Sequence, residues 1–309
     1  MLPRHLFLIL VAALPAHAVI VAGGDGTQNT SAPADDFGFS SVGFVTNSLG
    51  GIAIGGEYLG NGWVLSAYHG VADATQTGFA FGPVFFGGTP YTVDPTSGVR
   101  LHNPGGSLTD LALFHLTMEP PVPALTIASA SPTDALSVVM MGNGPGRDAN
   151  ETHWNVNTGT NPFTWTETAG PGNAQGYKEL FPQVMRWGTN NVTAFAGGST
   201  TDVFDDGLGN VTAFRTNFTN TPGEAQAGGG DSGGGVFWKV GGQWQLGGVM
   251  LFVANFNGQP VGTAVYGNET YAADLATYRP EIASIIPEPS CAALVLLGAG
   301  ITLRRRRSA

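Results

Sequence analysis

A single cysteine, Cys291, occurs in this chain of 309 residues, which excludes a disulfide framework and a cysteine-rich zinc site. Basic residues are scarce as well. Twelve Lys and Arg stand against 22 Asp and Glu, a net charge of −10, so there is no cationic face for nucleic-acid phosphates. Charged residues make up only 11% of the chain and apolar ones 42%, a balance that excludes a disordered polymer. Internal repeats and sustained helical periodicity are also missing, which excludes solenoids and helical bundles. What the chain has in excess is glycine, 47 residues, roughly twice the usual ~7%. With 20 prolines this points to many short strands joined by turns, in one large domain or two small ones.

Both ends read as addresses. Arg4 and His5 precede the apolar run Leu6–Leu14, and Ala16-His17-Ala18 offers a small-x-small cleavage site, the pattern of a secretory signal over residues 1–18. At the other end, Pro287-Glu288-Pro289 leads through Ser290 into the run Cys291–Leu303 and then Arg304-Arg305-Arg306-Arg307. Thirteen residues fall short of the ~20 of a membrane helix, and the arginines suit a cytoplasmic-side stop. The order of motif, span and basic end resembles the PEP-CTERM sorting signal (residues 287–309), which an exosortase removes in Gram-negative bacteria; a plain tail anchor is the alternative. Processing by signal peptidase and an exosortase-type enzyme is expected. So is transient inner-membrane contact, ending in a secreted, cell-surface or extracellular-matrix protein. Residues 19–286 keep 7 basic and 21 acidic side chains, a charge near −14, and no cysteine.

Short apolar stretches bounded by Gly, Asn and Pro predict strands at Ser41–Val45, Ile52–Leu59, Trp63–Ala67, Gly78–Phe86, Leu111–Leu116, Ser137–Met141, Gly235–Val240 and Gln243–Val253. Residues 142–230 are more polar and read as turns. Tyr271–Ser284 is the best helix candidate, interrupted by Pro280.

Three segments carry chemistry. His69 directly follows the apolar strand Trp63–Ala67 and Tyr68, where an imidazole would sit at a strand's exposed end as a general base. Asp110 leads into the apolar run Leu111–Leu116, a costly place for a charge unless it is paired. Ser232 stands in Gly228-Gly229-Gly230-Asp231-Ser232-Gly233-Gly234-Gly235, a turn whose glycines permit the backbone angles and close approach that a nucleophile requires. Taken singly, each has a plainer reading: a hydrogen-bonding histidine, a strand-start aspartate, an ordinary glycine loop.

Together, and in that order, they resemble the chymotrypsin/trypsin-like serine proteases. Ile54–Gly70 follows that family's strand-to-histidine segment, Thr109–Leu116 its acid strand and Gly230–Gly234 its nucleophile turn. Gln245–Val253 is similar to the strand after the serine and Tyr271–Ile282 to the closing helix, while 142–225 matches poorly. The resemblance implies an all-β fold of two six-stranded antiparallel barrels with a short C-terminal helix, over residues 19–286. It implies His69 as base, Asp110 as its orienting acid and Ser232 as nucleophile, with the N–H groups of Gly230 and Ser232 as oxyanion hole. The reaction would be peptide hydrolysis through an acyl-enzyme by a monomer, without cofactor or metal.

The sequence departs from the family in places. Where a disulfide often links the strand start to the residue after the histidine, Ile54 and Gly70 stand. Leu251 occupies the position of a serine that hydrogen-bonds the aspartate, and Val253 lines the substrate edge. Gln226, six residues before the nucleophile, lacks a charge at the expected pocket base, which suggests a small or neutral side chain before the cleaved bond. Signal cleavage would expose Val19, whose amine is expected to pair with Asp231. Asp202, Asp205, Asp206 and Asn210 lack the spacing of a calcium loop and read as a solvated turn, and His102, His115 and His153 lack zinc-ligand spacing. The competing reading is a non-catalytic surface or matrix protein that keeps the fold and binds through its acidic face; a third is a membrane-anchored structural protein.

Overall fold

The computed structural model describes residues 19–205 and 207–286. The signal segment 1–18, Asp206 and the tail 287–309 lie outside the described residues. Two seven-stranded sheets dominate, antiparallel throughout. The first is ordered Thr89–Tyr91, Phe81–Phe86, Val42–Asn47, Ile54–Gly60, Trp63–Ala67, Leu108–His115, Val99–His102. The second runs Arg186–Asn191, Ser137–Gly142, Gly235–Val240, Gln243–Ala254, Glu269–Asp274, Asn210–Asn217, Asp202–Asp205.

Each sheet curls until its edges meet. In the first, Val93 bridges Leu116, Asp94 N–H donates to the His115 carbonyl and Thr117 N–H to the Thr92 carbonyl. In the second, Val192 bridges Thr216 and Thr193 N–H donates to the Arg215 carbonyl. Six strands thus complete a circuit in each half, with Val99–His102 and Asp202–Asp205 as outlying seventh strands. The ladders themselves stay open, and the closure rests on these few bonds.

Local chemistry explains the hairpins. Asn61-Gly62, Gly87-Gly88 and Gly241-Gly242 each form a two-residue loop with both φ angles positive, the turn whose twist matches paired strands. Trp63–Ala67 reads as an unbroken apolar run because it is hydrogen-bonded on both edges and buried at four of its five positions. The region read as turns contains strands too, among them Thr152–Asn157, Thr164–Thr168 and Ala174–Leu180. Their outward positions are polar, so no continuous apolar run announces them.

The helix begins later than the sequence suggests. Tyr271 to Asp274 belong to the strand Glu269–Asp274, and the helix is Leu275–Ile285. Asp274 caps it, accepting from Ala276 N–H at 3.2 Å. Pro280 sits in its interior, where the missing N–H removes one helical bond. Tyr278 Oη donates to Asn103 at 2.8 Å and accepts Thr212 N–H at 2.8 Å, tying the helix to both halves.

One core residue is out of place in an apolar interior. Glu57 is 0% exposed, and neither carboxylate oxygen has a partner. It lies where the halves meet, so close to Gly235 that a Cβ there would be 2.9 Å from its Oε1. Burial holds its pKa well above the ordinary carboxylate range. A raised folded-state pKa means stability that is full below the unfolded-state value and lost as pH rises through the folded one. Glu57→Met should therefore stabilise the protein by about 1–3 kcal/mol, with the gain growing from pH 5 to pH 8. Thermal melts of both proteins across that range check the sign; a gain that shrinks with pH contradicts it.

Candidate active site

The structure brings His69 and Asp110 together through the first sheet. Trp63–Ala67 and Leu108–His115 are paired, with Ala67 opposite Leu111, so the chain turns into the short helix Tyr68–Val71 beside the start of the acid strand. Asp110 is 1% exposed. Its Oδ1 accepts the His69 backbone N–H at 2.8 Å and its Oδ2 lies 2.6 Å from His69 Nδ1. Both oxygens of one carboxylate thus hold one residue, by main chain and by ring, which fixes where the imidazole sits and which nitrogen carries its proton. Among the described residues Asp110 has no other donor. Leu251, 8% exposed, brings no hydroxyl to it.

Ser232 comes from the second half. Its carbonyl accepts Gly55 N–H at 2.7 Å, and Ser66 Oγ donates to the Gly55 carbonyl at 2.6 Å. The same strand start reaches His69: the side chain of Ile54 fills the space over Gly70 so fully that a Cβ on Gly70 would overlap Ile54 Cδ1. Ile54-Gly55 therefore stands between the histidine turn and the serine turn and touches both.

The serine turn is wound around Asp231. Gly230 and Gly233 have φ of 105° and 79°, angles that favour glycine. Asp231 N–H donates to the Gly228 carbonyl at 3.1 Å, and Gly234 N–H to the Asp231 carbonyl at 2.9 Å. The Asp231 side chain, 0% exposed, accepts from Gly144 N–H at 2.6 Å, Gly228 N–H at 2.7 Å and Val19 N at 3.4 Å. Burial still pushes its pKa up to about 7, against the lowering effect of those bonds. The N–H groups of Gly230 and Ser232 donate to no acceptor among the described residues, which is the condition an oxyanion hole must meet.

A cavity of ≈ 350 Å³ opens beside Ser232, lined among others by Gln226, Met250, Leu251 and Val253. The three residues expected at the substrate pocket thus share one cavity with the serine. Gln226 is pinned by pairing with Ile20. The cavity also holds Glu179, absent from the sequence reading because its strand, Ala174–Leu180, reaches the site through long-range pairing with Gly146–Arg147 and Thr263–Val265. Nothing local to residue 179 signals that pairing.

Two further residues escaped the sequence reading. Arg147 and Arg186 are buried and hold the N-terminal segment: Arg147 donates to the carbonyls of Val21 at 2.7 Å and Gly24 at 3.1 Å and also to that of Gly23, and Arg186 donates to the carbonyl of Gly26. Elsewhere, Asp202 and Asp205 lie in a hairpin strand paired with Asn210–Asn217. His115 Nε2 meets the Asn61 carbonyl at 2.9 Å, far from this chemistry.

No protein-family model and no curated protein sequence matches the chain. Among solved structures it is similar to the Rv3671c protease of M. tuberculosis. With its active form it shares 15% identity over 80% of this chain and 81% of the other, at a TM-score of 0.46. With a serine-to-alanine mutant in the inactive form the identity is 16%, over 86% of this chain and 96% of the other, at a TM-score of 0.47.

The Ile54–Gly70 packing makes a specific demand. Gly70→Ala should lower stability by about 1–3 kcal/mol through overpacking, and Ile54→Val, which removes the overlapping Cδ1, should recover part of that loss in the double variant. Denaturation midpoints of the two single variants and the double variant test this; strictly additive losses rule the contact out.

Proposed function

We propose that this protein is an exported serine endopeptidase, hydrolysing peptide bonds with Ser232, His69 and Asp110. The observation that carries the reading is the double grip of Asp110 on His69, beside a serine whose turn leaves two amide N–H groups without acceptors. Ser232 Oγ attacks the substrate carbonyl. With Nδ1 committed to Asp110, the proton passes to His69 Nε2, and the buried carboxylate stabilises the imidazolium. The oxygen of the tetrahedral intermediate draws on Gly230 and Ser232 N–H. His69 then protonates the leaving amine, and water releases the acyl group by the same steps reversed. The chemistry needs no cofactor or metal.

Export rests on residues 1–18 and 287–309, and sorting by an exosortase-type enzyme follows from the tail. Cleavage after Ala18 would turn the Val19 nitrogen into an ammonium. That nitrogen already lies 3.4 Å from Asp231, and Val19 is 0% exposed, so the new charge would form against a buried carboxylate and hold the serine turn in shape.

A fluorophosphonate probe should label the protein at Ser232. Ser232→Ala should abolish labelling, and Asp110→Asn should slow peptide hydrolysis by about 10⁴-fold, the loss expected when the imidazole tautomer is wrong. A folded wild-type protein that resists the probe removes this reading.

The terminus has its own signature. While Val19 is peptide-linked, the raised pKa of Asp231 makes its contribution to stability fall as pH climbs from about 4 through about 7. In a form starting at Val19, the ammonium lowers that pKa, so this contribution should instead be fully present above about pH 4, be lost only as pH falls below it, and decline at the alkaline end as the amine deprotonates, near pH 8 or beyond. Melting curves of the two forms from pH 4 to 9 distinguish these cases, and Asp231→Asn should flatten both. Identical profiles for the two forms refute the pairing.

A further inference from the structure

Among the described residues, Glu179 is the only ionisable side chain lining the ≈ 350 Å³ cavity beside Ser232. Its strand is fixed on both sides, paired with Gly146–Arg147 and with Thr263–Val265, and its own N–H donates to the Gly262 carbonyl at 2.8 Å. Its carboxylate reaches the loop just before the serine: a Cβ on Gly228 would lie 3.0 Å from Oε1, and Gly229 N–H donates to it. Among the described residues no Lys or Arg pairs with it. Burial accordingly pushes it above the ordinary carboxylate range.

A second acceptor stands in the same cavity. Gln226 is 1% exposed, and its Oε1 has no hydrogen-bond partner. Around these two groups the wall is mixed, with Ala227, Met250, Val253 and Pro260 supplying apolar surface and Asn255, Gln259 and Thr263 polar surface. The cavity therefore offers apolar wall for an aliphatic stem together with two polar acceptors, one of them a carboxylate without a counter-ion.

We propose, on the reading that Ser232 is a peptidase nucleophile, that Glu179 and Gln226 make this cavity the subsite for a Lys or Arg side chain on the acyl side of the cleaved bond. Such a side chain has the required shape, an apolar stem with a cationic tip, and brings the positive partner that Glu179 lacks and a donor for Gln226 Oε1. An aliphatic side chain would leave the Glu179 charge desolvated without a counter-ion and Gln226 Oε1 without a donor, and an acidic one would set two like charges together. The neutral preference expected from Gln226 alone is replaced, because the charge comes from a distant strand rather than from the residue six before the serine.

The test separates the cation site from the catalysis. Binding of p-aminobenzamidine, followed by its fluorescence, is measured in Ser232→Ala and in Ser232→Ala/Glu179→Gln, so that no result depends on turnover. Affinity should fall about tenfold or more with Glu179→Gln, the loss of one charge-assisted bond. Glu179→Asp, which keeps the charge, should retain more binding than Glu179→Gln, an ordering that a folding defect would not produce. In the protein with Ser232 intact, kcat/KM for a peptide with Lys or Arg before the cleaved bond should exceed that for the Leu peptide by about tenfold or more. That ratio should collapse towards one in Glu179→Gln. Amidine binding indifferent to Glu179, or a preference for Leu in an active enzyme, overturns the proposal. Cleavage of neither peptide alongside Glu179-dependent amidine binding overturns the peptidase reading and supports the cation site.

Discussion

The carboxylate of Asp231 is the group around which the candidate site is assembled. A charge with no solvent exposure costs several kcal/mol unless its surroundings replace the lost water. Here the replacements are three backbone nitrogens, from Gly144, Gly228 and Val19. They come from the loop before the 146–185 segment, from the serine turn itself and from the N-terminal strand. Three otherwise separate pieces of chain are thus required at one point. The shape of the serine turn follows, because Gly228 and Gly234 are bound both to the main chain of Asp231 and, through Gly228, to its side chain. Amides alone leave the carboxylate at about 7, so the demand for a positive partner is built into the fold.

The N-terminal segment answers that demand through two buried arginines. Arg147 stacks its guanidinium 3.9 Å over the Tyr177 ring while donating to carbonyls of Val21, Gly23 and Gly24. Arg186 holds Gly26, and its pKa is lowered to about 10, chiefly by desolvation and then by Arg147, with Asp231 acting in the opposite direction. Guanidinium groups suit this role because their planar forks reach several carbonyls at once and stay charged despite the shift. The segment from Val21 to Gly26 is therefore locked in place independently of Val19, which delivers the Val19 nitrogen to Asp231 rather than asking that single contact to order the terminus.

How much of this was legible in the sequence divides along physical lines. His69, Asp110 and Ser232 each sit beside a strand with apolar residues on both sides, and the two-residue Gly and Asn turns mark where those strands reverse. Such signals are local. The end of strand Glu269–Asp274 looks helical in sequence because its alternation is short and runs straight into a true helical segment, with Asp274 serving as the last strand residue and as the cap. The strands between 146 and 191 escaped notice because their outward faces carry Thr, Asn and Gln, which look like loop residues. Glu179, Arg147 and Arg186 escaped for a different reason: their roles depend on which strand lies beside which. Register between distant strands leaves no mark on the neighbouring letters.

Glu57 and Glu179 show how one chemical problem takes two forms in the same molecule. Both are carboxyl groups withdrawn from water and lacking a cation, and both are pushed towards the neutral state by burial. Glu57 is sealed between the halves, where no ligand can reach it, so its desolvation is a standing cost to stability. Glu179 opens into a cavity beside the serine, so its cost can be offset by whatever enters carrying a positive charge. The acidic body, near −14 over residues 19–286, would draw cationic chains towards the surface, but that field is screened beyond about 10 Å at ordinary salt. Discrimination between side chains must then arise inside the cavity, where low dielectric strengthens one well-placed carboxylate far beyond its worth on the surface. On the proposed peptidase reading, a single half-buried acid on a strand from the polar insertion would decide which bonds the serine meets, while the rest of the acidic surface would govern only how often chains arrive.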